Sequence, residues 1–146
     1  MLYFDAKTGQ PLRKYKFEES NACISNLDFN PKQDQVFASG QMNGDVFIHD
    51  LRQRDDFSDW LRGHEKLTIG TKWSLDGDQL ATSDNQGKIL LWDPRRSDTS
   101  WFAFLHWESG VKGLDWSPHQ RGVLASGGGV RDCFIWVWDT LKFSEI

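Results

Sequence analysis

The chain has 146 residues, 38% hydrophobic and 26% charged, with a formal net charge of −4 and a pI near 5.5. That length suits one domain with a buried core; the acidic balance argues against nucleic acid as a partner, and no apolar run approaches the roughly 18 residues of a membrane span. The only cysteines, Cys23 and Cys133, lie far apart and form no CxxC pair, so no metal, disulfide framework or cofactor is expected, and Asp5 and Lys7 interrupt any signal-like apolar start, which points to an intracellular protein with reduced thiols.

In chain order, "LYFDAKTGQPLRKYKF" reads as a third strand and fourth strand belonging to an incomplete unit over 1–19, with Arg13, Lys14 and Lys16 as solvated edge charges. Three longer units follow over 20–62, 63–105 and 106–146. Their cores are "ISNLDFNPKQDQVFASGQMNGDVFIHDLR" from Ile24, "TIGTKWSLDGDQLATSDNQGKILLWDPRR" from Thr68 and "VKGLDWSPHQRGVLASGGGVRDCFIWVWD" from Val111. Phe29, Trp73 and Trp116 share one column, 44 and 43 residues apart, and Asp50, Asp93 and Asp139 share another, 43 and 46 apart. In each unit a strand ends on the aromatic residue, and a Pro-, Asp- or Gly-rich turn leads to a second strand. A tight turn then leads to a third strand ending in His-Asp or Trp-Asp, and a more exposed fourth strand follows. No helical spacing is sustained. Short antiparallel strands repeating every 40–45 residues predict an all-β fold: an incomplete WD-repeat β-propeller of about three four-stranded blades plus a partial N-terminal blade. The final fourth strand is expected to be incomplete. Because the chain starts and stops inside blades, it reads as a fragment of a longer protein, with open blade edges that allow self-association.

The run "SGGGVRD", Ser126 to Asp132, falls in the tight turn of the third unit. Without a following Lys-Ser or Lys-Thr it is not a phosphate loop; positive φ angles and crowding against Cβ atoms are expected to require its glycines. Buried polar side chains are expected to pair in each blade, as a buried Trp N–H or imidazole must. In the second unit His64, Thr82 and Trp92 fit such a network, with Gln86 where a turn Asp is expected. In the third, Ser126, Asp132 and Trp138 fit, and Trp107 takes the His register beside His106. In the first, Ser39 fits, while Ser20, Asn43 and His49 replace the His, Asp and Trp. The repeat accounts for Ser126, His64 and Asp132 without a catalytic triad, which is recognised by geometry, so an enzyme is not expected. His119 reads as a solvated loop residue and Cys133 as a passive thiol. Trp60, Trp101, Trp107 and Trp136 stand outside the core columns, and Trp136 is expected to pack between blades.

The segments "SGQMNGDVFIHDLR", "LRGHEKLTIGTKWSLDGDQLATSDNQGKILLWD" and "VKGLDWSPHQRGVLASGGGVRDCFIWVWDT", in this order and spacing, resemble the Fizzy and Fizzy-related activators of the anaphase-promoting complex, over about residues 2 to 140. The resemblance implies a nuclear or cytoplasmic adaptor without catalysis in cell-cycle proteolysis. Its partners would be the anaphase-promoting complex and substrates carrying KEN-box or destruction-box degrons. It carries a peptide-contacting role to Asn85 in "SDNQG" and to Val130 in "GGGVRD", where the family has Thr; Cys133 stands where the family has Arg. Asp84, beside Asn85, would offer charge to a ligand Lys. Other KEN contacts and one wall of the destruction-box groove belong to later blades. Two other readings are a general WD-repeat protein-interaction scaffold and a propeller-based hydrolase.

Overall fold

The computed structural model describes residues 2–14, 23–53, 59–96, 102–105 and 109–146, with the backbone alone described at 2–4, 12–13 and 102–105. Ser20, Trp101, His106, Trp107 and the end of the N-terminal basic cluster (Tyr15 and Lys16) lie outside the described residues. All regular structure there is β. Strands β1 (Leu2–Phe4) and β2 (Pro11–Lys14) form an antiparallel pair. The first blade is β3 (Ile24–Phe29), β4 (Val36–Gln41), β5 (Val46–Asp50) and β6 (Asp59–Leu61). The second is β7 (Thr68–Trp73), β8 (Leu80–Asp84), β9 (Lys88–Trp92) and β10 (Phe102–Leu105). The third is β11 (Gly113–Trp116), β12 (Val123–Gly127), β13 (Ile135–Asp139) and β14 (Ser144–Glu145). Each blade is a four-stranded sheet in sequential order with antiparallel neighbours. The fourth strand expected to be incomplete is the two-residue β14, paired with Trp138 and Asp139.

Strand alternation puts successive side chains on opposite faces, and the second blade uses both faces. Leu80, Leu90 and Trp92 join Val36, Ala38, Val46, Ile48 and Leu61 of the first blade in one core, with Trp73. Ala81, Ile89 and Leu91, one residue away in each strand, join Leu114, Trp116, Leu124 and Trp138 of the third blade in another. Central strands β4 and β8 are therefore buried along their whole length. Trp136 packs against the second core, as its alternation with Ile135 and Val137 requires, and its ring stacks on Trp138 with centroids 5.8 Å apart.

Polar side chains lock the seams. Between the first and second blades, the Asp28 carboxylate accepts the Trp73 backbone N–H at 2.8 Å, the Asn26 amide donates to the Thr68 carbonyl at 2.8 Å, and the Asn30 amide donates to the Gly77 carbonyl at 3.0 Å. Between the second and third, the Trp116 indole donates to the Lys72 carbonyl at 3.0 Å and the Ser83 hydroxyl to the Val111 carbonyl at 2.6 Å. The Arg121 guanidinium reaches back to Asp76 and Asp78. The aromatic column thus sits at equivalent places in the blades: Trp73 and Trp116 are buried, whereas Phe29 is more exposed and packs on Phe37 with ring centroids 5.2 Å apart.

The repeat predicts its own control experiment. Ile89 and Ile135 occupy the same position, facing the following blade, and are 0% and 80% exposed. Ile89→Ala should cost about 2–5 kcal/mol in urea unfolding, and Ile135→Ala should stay within about 0.5 kcal/mol of the parent. Equal losses would mean that the second seam is not the core.

Candidate functional site: the turn-bearing end of the blades

The β8–β9 turn carries the sequence "DNQGK" on top of a buried polar chain. His64 Nδ1 lies 2.9 Å from Asp84 Oδ2, and His64 Nε2 lies 2.7 Å from Thr82 Oγ1, which also accepts the Trp92 indole N–H at 2.7 Å. Thr82 has one proton to give. With its oxygen taken by Trp92, the pattern that satisfies every group has Thr82 donating to Nε2 and His64 donating from Nδ1 to Asp84. The second carboxylate oxygen of Asp84 accepts the backbone N–H groups of Gln86 and Lys88, both at 2.9 Å. Burial raises the Asp84 pKa, but the hydrogen bond from His64 and those from the Lys88 and Gln86 backbone outweigh it, so the group sits below its ordinary value. One carboxylate therefore ties the loop before the blade to the turn above it.

Asp84 corrects two expectations. The network carboxylate was expected at position 86, where Gln86 stands; the structure supplies it from Asp84, two residues after Thr82 and hence on the same strand face. Asp84 is also not a charge held out for a ligand lysine, because it is 2% exposed and its oxygens are engaged inside the blade.

The other blades solve the same problem with different residues. In the first, His49 replaces the indole: its Nε2 lies 2.8 Å from the Ser39 hydroxyl and its ring stacks on Phe37 at 4.5 Å. Asn43 donates to the Asp45 carboxylate at 2.6 Å, which also accepts the Trp60 indole N–H at 2.8 Å. Neither Trp60 nor Asp45 was singled out as part of a polar pair from the sequence. In the third, the Trp138 indole donates to Ser126 at 2.6 Å and the Trp136 indole to Asp132 at 3.0 Å. Gly128 stands at the position equivalent to Asp84. A Cβ built there would lie 2.2 Å from Asp132 Oδ2, so the glycine makes room for a carboxylate that arrives from the turn. At Gly129 a Cβ would meet the Ser109 hydroxyl at 2.5 Å. Crowding thus explains two of the three glycines. The expected positive φ is absent from all three and appears at Cys133 instead, at 56°.

Asn85 and Val130 stand exposed on neighbouring turns of this end. The Asn85 backbone N–H donates to the Leu67 carbonyl at 3.0 Å, and the Gly110 loop runs so close that a Cβ there would fall 2.9 Å from the Asn85 Cα. The same loop, through Ser109, meets Gly129 beside Val130. Both side chains are therefore presented from backbones held in place. The set Ser126, His64 and Asp132 is divided between two blades. A hydroxyl–imidazole–carboxylate chain does exist in Thr82, His64 and Asp84, but Thr82 is fully buried and its oxygen is committed to Trp92. Among the described residues no three His, Cys, Asp or Glu side chains come together as a metal site. His119 is an exposed turn residue, and the Cys133 thiol is exposed and lies against the Val130 carbonyl at 3.2 Å.

Four-stranded blades, closed by a Ser or Thr hydroxyl against a Trp or His ring and packed face to face, define a WD-type β-propeller protein. The model for the WD domain, G-beta repeat, matches residues 57–93 and 102–139, and the chain belongs to this family. Protein FIZZY-RELATED 3 of Arabidopsis thaliana is 34% identical over 112 residues, covering 77% of this chain and 23% of that protein. The anaphase-promoting complex subunit cdc20 of Dictyostelium discoideum is 36% identical over 110 residues, 74% of this chain and 22% of that protein. A chain in the crystal structure of a mitotic checkpoint complex superposes with a TM-score of 0.85 at 28% identity, over 98% of this chain and 42% of that one. The chain therefore spans about a quarter of the length of the curated relatives it matches.

Two outcomes test this end of the blades. Because the folded Asp84 pKa is lowered, its stabilisation is present above the ordinary carboxylate value of 3.8 and is lost as pH falls through the folded value. The urea midpoint of the parent should fall more steeply below that pH than that of Asp84→Asn. Gly128→Ala should shift the Trp136 environment, read by near-ultraviolet circular dichroism, while Gly127→Ala should leave it unchanged, since a Cβ at Gly127 would meet only the Gly113 Cα at 3.8 Å.

Proposed function

We propose that this chain is a non-catalytic substrate-recognition segment of an adaptor propeller, acting with the anaphase-promoting complex in cell-cycle proteolysis in the nucleus or cytoplasm. The observation that carries this reading is Asn85: an exposed amide on a turn fixed by Asp84 beneath it and the Gly110 loop beside it. Relatives named for the Fizzy-related proteins and for a subunit of the anaphase-promoting complex support it. So does the checkpoint-complex chain of the same fold. An amide offers two donors and an acceptor, enough to read the polar groups of an extended degron without bond-making chemistry. Val130 contributes contact area but no hydroxyl, so a peptide polar group facing it goes unpaired. The buried, committed hydroxyl of Thr82 favours this adaptor reading over a hydrolase. The exposed Ile135 marks the face of the third blade through which a further blade or a second copy would stack.

Titration of the chain with a fluorescent peptide containing Lys-Glu-Asn, followed by anisotropy, tests the reading. Asn85→Ala should weaken binding about fivefold or more, the equivalent of roughly 1 kcal/mol for a lost hydrogen bond, and Val130→Thr should strengthen it by a similar factor. Equal binding of a scrambled peptide would sink the degron role and leave a general interaction scaffold.

A further inference from the structure

Asn85 has a counterpart one blade back. Met42 lies 43 residues before it, the separation that relates Asp50 to Asp93, and holds the place in the β4–β5 turn that Asn85 holds in the β8–β9 turn. Its backbone is fixed in the same way: the Met42 N–H donates to the Cys23 carbonyl at 2.9 Å, as the Asn85 N–H donates to the Leu67 carbonyl at 3.0 Å. The two turns also grip one segment from either side. Gly44 packs so closely on it that a Cβ there would lie 2.6 Å from the His64 carbonyl oxygen and 2.9 Å from that of Lys66, and the Thr68 hydroxyl donates to the Gly44 carbonyl at 3.2 Å. Met42 and Asn85 are therefore exposed side chains on one continuous, fixed backbone surface, and Met42 is 53% exposed.

We infer that Met42 is a second specificity determinant of the peptide site proposed above, receiving an apolar or aromatic side chain of the same extended segment about three residues from the one that Asn85 reads. The inference rests on that reading of Asn85. The first and second blades are packed face to face, and sheets packed in this way stand about 10 Å apart. An extended chain advances about 3.3–3.6 Å per residue, so one step from blade to blade takes about three peptide residues. A segment laid over Val130 and Asn85 continues, in the other direction, over Met42. The thioether decides what it meets there. It carries no charge and no donor, its unbranched, polarizable chain adapts to the shape of an apolar partner, and sulfur contacts aromatic ring edges favourably. The segment between the two turns sets no preference for a charge, because its exposed Glu65 and Lys66 have opposite signs. Covering the exposed part of Met42 removes apolar surface from water, and the fixed turn beneath it leaves little backbone to order on binding.

The chain has only two methionines, Met1 and Met42, so carbon-13 labelling of their ε-methyl groups gives an NMR signal for Met42, assigned from its absence in Met42→Leu. The full labelled chain is titrated with Lys-Glu-Asn peptides in a glycine-serine background, carrying one phenylalanine about three residues before the motif, one about three residues after it, or none. The expected result is a saturable ring-current shift of the Met42 methyl with one of the two phenylalanine peptides, together with tighter binding of that peptide. Met42→Ser should remove this gain and leave the affinity for the peptide without phenylalanine unchanged, whereas Asn85→Ala should weaken all the peptides. Retained dispersion of the indole resonances shows that each variant is folded. If the peptides bind in an Asn85-dependent way but leave the Met42 methyl unmoved, or if the phenylalanine gain survives Met42→Ser, the role of Met42 is overturned and the degron reading stands. If none of the peptides binds, both are overturned.

Discussion

A short antiparallel sheet whose side chains alternate between two apolar faces cannot bury both by itself. Every blade of this chain is such a sheet, and the second shows what the constraint demands. Leu80, Leu90 and Trp92 need the first blade, and Ala81, Ile89 and Leu91 need the third. Stability is then shared between neighbours, as in other repeat proteins, where unit and interface terms add. Ile135, at the position equivalent to Ile89, shows the same pattern left exposed.

Inside that frame, polar groups are placed where alternation would otherwise strand them. Thr82 faces inward with Leu80, and its hydroxyl is stable there because Trp92 and His64 complete it. Asp84, one step further on the same face, is tolerable because it receives hydrogen bonds from one imidazole and two backbone N–H groups. The consequence is a turn held from below, with only Asn85 and Gln86 at its tip free of the core. A recognition surface gains from such rigidity, because little ordering remains to be done when a peptide arrives.

Much of the fold was legible in the chain: the aromatic column of Phe29, Trp73 and Trp116, the Pro/Asp/Gly turns and the His-Asp or Trp-Asp strand ends mark each sheet. The inward pairing of Ser39, Thr82 and Ser126 with a ring on the third strand was legible too, because position and chemistry agree. The network carboxylate was not. Motif register pointed to the turn, at Gln86, whereas strand parity from Thr82 points to Asp84. In the third blade parity leads to Gly128, and the carboxylate there comes from Asp132 four residues later, a route that only coordinates reveal. The Trp60–Asp45 bond was equally invisible, since it joins β6 to the turn before β5, fifteen residues away, with no motif linking them. The glycine triplet misled in part: its want of side chains reflects crowding by Asp132 and Ser109, not left-handed backbone.

The seams have a property that reaches beyond this chain. Several of their side-chain donors, from Asn26, Asn30, Ser83 and Trp116, end on main-chain carbonyls of the neighbouring blade. A carbonyl is supplied by whatever residue occupies the position, so the receiving side can drift through substitution while the joint survives. Such joints let an ancestral unit be duplicated and diversified without each copy having to co-evolve with its neighbour, and they help explain how shape is retained when about seven residues in ten have changed relative to the checkpoint-complex chain.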